Sequence, residues 1–113
     1  MKLPNYAHAL VEQRKITTYL LAAEHPAGKA AFFAAFGFTR ADWHVLRDAL
    51  LHHAATHEVA ATLTTPHGVK FIIEGAMPTP DGRSPQVGTV WIVATGSDTP
   101  RLVTAYPLTG DLR

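Results

Sequence analysis

His25-Pro26-Ala27-Gly28-Lys29 packs the most chemistry into the fewest residues of this chain. An imidazole exchanges a proton near neutral pH. Glycine lets a backbone approach a ligand closely, and lysine adds positive charge. A helix that starts here would aim free N–H groups at an anion. The same five residues also make an ordinary solvated turn shaped by Pro26 and Gly28. A second set is histidine. His53 and His57 stand four apart, so one helix face could offer both to a metal. The zinc-protease pattern H-E-x-x-H requires a glutamate between them, and here Glu58 follows the second histidine. We therefore read His52, His53 and His57 as a polar helix end. A positive charge there is favoured by roughly 0.3–1 kcal/mol. We expect no metal and no cofactor. A third set lies in β-rich runs: Lys70, then Thr89 and Trp91, then Arg101, Thr104 and Tyr106. Aromatics, hydroxyls and cations on one sheet face would stack a base and hold a phosphate. They are also simply good strand residues. Strict alternation puts Leu102, Thr104 and Tyr106 on one face and Arg101, Val103 and Ala105 on the other. Thr89 and Trp91 join Thr104 and Tyr106 if odd positions pair with even ones. A one-residue slip reverses that assignment.

The elements that would carry these residues follow from periodicity. Leu3-Pro4-Asn5-Tyr6 starts extended, because Pro4 biases Leu3 away from helix. Met1 to Ala9 forms an edge strand or a loop across the core. Val11 to Ala23 reads as a first helix, with Ile16, Tyr19, Leu20 and Ala23 inward and Glu12 to Lys15 outward. Lys29 to Phe36 reads as a second helix, ended by Gly37. Thr39 to His57 reads as a third, with Thr39 and Asp42 resembling a capping box and Trp43, Leu46, Leu50 and His53 or Ala54 in its apolar stripe. After Glu58 the period changes to two. Strands are expected over Val59–Thr65, Val69–Met77, Val87–Ala94 and Arg101–Tyr106, with a frayed tail from Leu108. The Gln86–Leu108 hairpin is expected near the centre of the sheet. The fold class is α+β: three N-terminal helices packed on a four-stranded antiparallel meander, with the other sheet face open.

Length and composition bound the rest. The chain has 113 residues, 47% hydrophobic and 17% charged, which is enough to bury a core in one domain spanning the whole chain. A net charge of +1 argues against a strongly basic nucleic-acid binder while permitting a local basic cleft. The absence of cysteine removes disulfides and a thiol nucleophile and fits a reducing, cytoplasmic setting. No apolar run approaches a membrane span, and no signal peptide is evident, so no membrane partner is expected. Signal-less secretion would leave the same sequence. No Gly-rich nucleotide loop, G-x-S-x-G or EF-hand loop is present.

Several motifs together resemble a family of small bacterial domains of unknown function. They are Leu3-Pro4-Asn5, Tyr19-Leu20-Leu21, Glu24-His25-Pro26-x-Gly28-Lys29-Ala30-x-Phe32-Phe33, Gly37-Phe38, Trp43-x-x-Leu46-x-x-Ala49-Leu50, Thr89-Val90-Trp91-Ile92-Val93 and Pro100 to Pro107. The resemblance covers nearly the whole chain. More loosely, the chain looks like toxin RNases of the barnase, colicin and RelE type. That resemblance implies helices before a curved antiparallel sheet. It also implies metal-independent RNA cleavage by His, Lys or Arg with Ser, Thr or Tyr of the sheet face. Carried over residue by residue, Thr104 and Tyr106 match, with His25, Lys29 and Arg101 after them. The chain departs from such RNases in its near-neutral charge and in the sequence distance from His25 to the sheet. The expected function is a small ribonuclease toxin, with RNA as substrate and a cognate antitoxin or immunity protein as partner. His25, Lys29, Arg101, Thr104 and Tyr106 would be catalytic, and Trp91, Lys70 and Thr89 substrate-binding. The alternative is a non-catalytic module, an antitoxin, immunity or adaptor protein, that binds through the open sheet face.

Overall fold

Four strands form one antiparallel sheet in the order β1-β2-β3-β4: Val59–Thr65, Gly68–Ala76, Gln86–Ala94 and Arg101–Pro107. The computed structural model describes residues 1–22 and 29–108, together with the side chains of these residues other than Lys29. The helices precede the strands, as the change of period requires. The chain starts as a loop with a 3-10 turn at Tyr6–His8, and Leu10 makes a parallel bridge to Arg101. Helix α1 spans Gln13–Lys15 and continues as a π-helix over Ile16–Leu20. α2 is Lys29–Ala35 and α3 is Trp43–Thr56. The first helical segment is therefore shorter than the periodicity implies. Thr17 and Thr18 bond back to the carbonyls of Gln13 and Arg14, and such back-bonding competes with the regular ladder.

The remaining boundaries fall within a few residues of expectation, and each has a local cause. Gly37, at φ 101°, ends α2 in a conformation that a side chain would strain. The Asp42 N–H donates to Thr39 Oγ1 at 3.2 Å, one half of a capping box, and α3 starts after it. The β3–β4 hairpin places β3 inside the sheet but β4 at its edge, so only half of that hairpin is central. The core lies between the helices and one sheet face. Ile16, Leu20, Phe33, Leu46 and Leu50 meet Ile73, Val87, Trp91 and Ala105, all fully buried.

The register fixes what strict alternation leaves open. Trp91 pairs with Phe71 and Leu102, and Thr89 pairs with Ile73 and Ala105; all of these face the helices. β4 carries a bulge: Val90 pairs with Thr104 and Trp91 with Leu102, leaving Val103 as the extra residue. A bulge re-phases a strand, so residues on its two sides that alternation would separate come to share a face. Arg101, Thr104 and Tyr106 therefore lie together on the open face. The expected separation of Arg101 from Thr104 and Tyr106 is corrected by that one inserted residue.

Candidate active site on the open sheet face

Three cross-strand rows build the open face. Leu63, Lys70, Ile92 and Arg101 form one row, and Ala61, Ile72, Val90 and Thr104 the next. Glu74, Gly88 and Tyr106 form the third. Lys70 and Arg101 thus stand in one row two strands apart, about 10 Å along the hydrogen-bonding direction. Tyr106 lies flat across its neighbour: a Cβ on Gly88 would sit 2.5 Å from its Cζ and 2.8 Å from its hydroxyl. Glycine at position 88 is what admits the ring. Burial against the sheet raises the Tyr106 pKa above the ordinary phenol value, and the Glu74 carboxylate raises it further. The phenol stays protonated and can act as a donor.

The first helix comes over the edge of β4 and joins this face. Tyr19 Oη and Thr104 Oγ1 are 3.0 Å apart, a hydrogen bond between hydroxyls. Glu12 Oε2 lies 3.0 Å from the Arg101 guanidinium. Lys15 Nζ stands 5.5 Å from the centre of the Tyr19 ring, a cation–π contact. The backbone is tied at the same edge, where Leu10 N–H donates to Pro100 O and Leu102 N–H to Leu10 O. Sequence reasoning placed Tyr19 with the core and Glu12 on an outer helix face. The helical pattern shows Ile16 and Leu20 as buried, but only tertiary pairing shows that Tyr19 reaches β4.

Thr89 and Trp91, expected at the substrate, are core residues instead. Both are fully buried on the helix-facing side, so Trp91 has no ring face to offer a base. They belong to a polar relay. Trp91 Nε1–H donates to Thr89 Oγ1 at 2.9 Å, and the Thr89 hydroxyl donates to His53 Nδ1 at 3.1 Å. His53 Nε2 lies 3.0 Å from the Val87 carbonyl and 3.2 Å from that of Gly75. Both carbonyls accept only, which puts the His53 proton on Nε2. His57 Nε2 donates to Ala76 O at 2.7 Å, and its ring fills the space where a Gly75 side chain would stand. His53 is therefore part of the buried stripe, together with Ala54, rather than of the polar helix end. Burial pushes its pKa down to about 4; neighbouring His57 and His52 push the same way, while the bonds to Gly75 and Val87 oppose them. Among the described residues, no three His, Cys, Asp or Glu side chains stand close enough together to hold a metal ion. No helix among them is long and apolar enough to cross a membrane.

His25 lies outside the described residues, as does the side chain of Lys29. Of the expected site residues that are described, the structure brings Lys70, Arg101, Thr104 and Tyr106 to one face and places Thr89 and Trp91 on the other.

The fold and this face define a small α+β domain whose solvent-facing sheet surface carries cations and hydroxyls. Residues 2–109 match the family described as a domain of unknown function, DUF6883, and the chain belongs to that family. No curated protein matches it in sequence. Among solved structures, it is similar to a chain of a contact-dependent growth inhibition toxin–immunity protein complex from Klebsiella pneumoniae 342. The TM-score is 0.70 at 16% identity, over 88% of this chain and 100% of that one. This likeness is one of fold.

Proposed function

We propose that the protein is a toxin-type ribonuclease that cleaves RNA without a metal on the open face of its sheet. The reading rests chiefly on the bulge-phased set Arg101, Thr104 and Tyr106, which faces the same side as Lys70. The fold likeness to a chain of a toxin–immunity complex fits a toxin or an immunity protein alike. In the reaction, the ribose 2′ oxygen attacks phosphorus, a P–O2′ bond forms and the P–O5′ bond breaks. His25 takes the 2′-OH proton or protonates the departing 5′ oxygen, with solvent serving the other transfer, because imidazole is the group suited to this near neutral pH. Arg101, with Lys29 and Lys70, stabilises charge that builds on the non-bridging oxygens. Tyr106 and Thr104 donate hydrogen bonds to the same oxygens. The products carry a 2′,3′-cyclic phosphate and a 5′ hydroxyl.

The test is induced expression of wild type, His25→Ala and Arg101→Gln in parallel, with total RNA run on a gel. Growth arrest and RNA cleavage are expected with wild type and not with either variant. Intact RNA and equal growth with all three would contradict the reading.

One observation favours a second reading, a non-catalytic binding module. Ile72, Val90 and Ile92 are only half-buried on the open face, and Leu63 beside them is 56% exposed. An apolar stripe of this kind is what a partner protein covers. On that reading Tyr106→Ala and Lys70→Ala weaken capture of a partner, and His25→Ala is silent.

A further inference from the structure

The cleft beside the proposed site has a composition of its own. It measures about 350 Å³ and is lined by Glu12, Arg14, Lys15, Thr18 and Tyr19. Its single acid is engaged, because Glu12 pairs with Arg101 at 3.0 Å. Its two cations, Arg14 and Lys15, have no ion-pair partner among the described residues. Lys15 is held half-buried against the Tyr19 ring. The cleft is therefore positive in sum. Two of its lining residues reach the site: Tyr19 bonds Thr104 and Glu12 pairs with Arg101, both at 3.0 Å. Thr18 and Tyr19 of its lining belong to the π-helical turn Ile16–Leu20, a local geometry that recurs at functional sites.

We infer that this cleft is a second phosphate subsite, with Arg14 and Lys15 seating the phosphate next to the one that is cut. The inference rests on the ribonuclease reading and refines its substrate class: a strand with at least one phosphate beyond the scissile one, rather than a dinucleoside monophosphate. Arg14 offers a planar fork and Lys15 a point charge, and both suit a phosphate group.

The experiment measures kcat/KM on mixed-base dinucleoside monophosphates and on the same compounds carrying one added 5′ or 3′ phosphate. Wild type is expected to prefer one phosphorylated form by about tenfold, the worth of one charge-assisted contact. The Arg14→Gln/Lys15→Gln double variant is expected to lose that preference, its ratio falling to near one. Arg40→Gln, a cation outside this cleft, controls for net charge and keeps the preference. Equal cleavage of both substrates by wild type, or a preference that survives the double variant, would overturn the subsite and leave the ribonuclease reading intact. Cleavage of neither substrate, together with no cleavage of long RNA, would overturn that reading and the subsite with it.

Discussion

At the scale of single residues, the same side-chain type serves two opposite purposes on the two faces of one sheet. Thr89 and Thr104 are both strand threonines two residues before an aromatic. Thr89 is fully buried, accepting from Trp91 and donating to His53, while Thr104 meets Tyr19 at the sheet edge. Their substitutions should therefore fail differently. Thr89→Val leaves the Trp91 N–H and His53 Nδ1 without partners in the core. It is expected to cost about 2–3 kcal/mol of unfolding free energy in urea melts. Any loss of RNA cleavage should track the unfolded fraction. Tyr106→Phe keeps the ring over Gly88 and removes one donor. It is expected to leave the melting curve in place and lower kcat by roughly tenfold or more. A Tyr106→Phe variant with wild-type kcat would remove that hydroxyl from the reaction. In the sequence, Thr89 and Thr104 are indistinguishable, because facing is decided by pairing and not by composition.

At the scale of elements, the helices and strands are legible because burial imposes its period on the sequence. The Val-, Ile- and Thr-rich runs mark all four strands, and Gly37 marks the end of α2. The π-helical turn and the bulge at Val103 are not legible, since each is a one-residue change in count rather than in residue type. The bulge matters more, because it puts Arg101 beside Thr104 and Tyr106. Likewise, the two glycines filled by rings, Gly75 under His57 and Gly88 under Tyr106, read in sequence only as weak strand residues. Gly88→Val tests the latter. The substitution raises strand propensity but occupies the space of the Tyr106 ring. The ring is a side-chain end that can swing away, so the expected cost in stability is within about 1 kcal/mol. Activity is expected to fall at least tenfold as the hydroxyl leaves its place. Full activity would show that the position of Tyr106 over Gly88 is immaterial.

At the scale of the whole molecule, the relay beneath the sheet makes stability depend on pH. His53 titrates near 4 in the folded protein, against an ordinary value near 6.5 in the unfolded chain. Between those values the unfolded state binds the extra proton, so stability rises with pH across this window and is lost on acidification. The loss from pH 7 to below pH 4 is about 3 kcal/mol. The Asp81 carboxyl, held down to about 2 chiefly by Arg83, adds its own loss only at still lower pH. Urea melts at half-unit pH steps should show the decline between about 6.5 and 4, and His53→Gln should flatten it. A decline unchanged in that variant would assign it to other groups. The candidate site was partly legible in the same way as the fold. Residue types singled out Lys70, Arg101, Thr104 and Tyr106 as candidates, and the register brings these four to one face. Glu12 and Tyr19 were missed, because their part arises where a helix crosses a strand edge far away in sequence.

The central claim is most directly tested by incubating the purified protein with RNA in excess chelator and identifying the ends of the products. The expected result is cleavage undiminished by the chelator, with 2′,3′-cyclic phosphate on one fragment and a 5′ hydroxyl on the other. Cleavage abolished by the chelator, products with a 5′ phosphate, or no cleavage at all would contradict it.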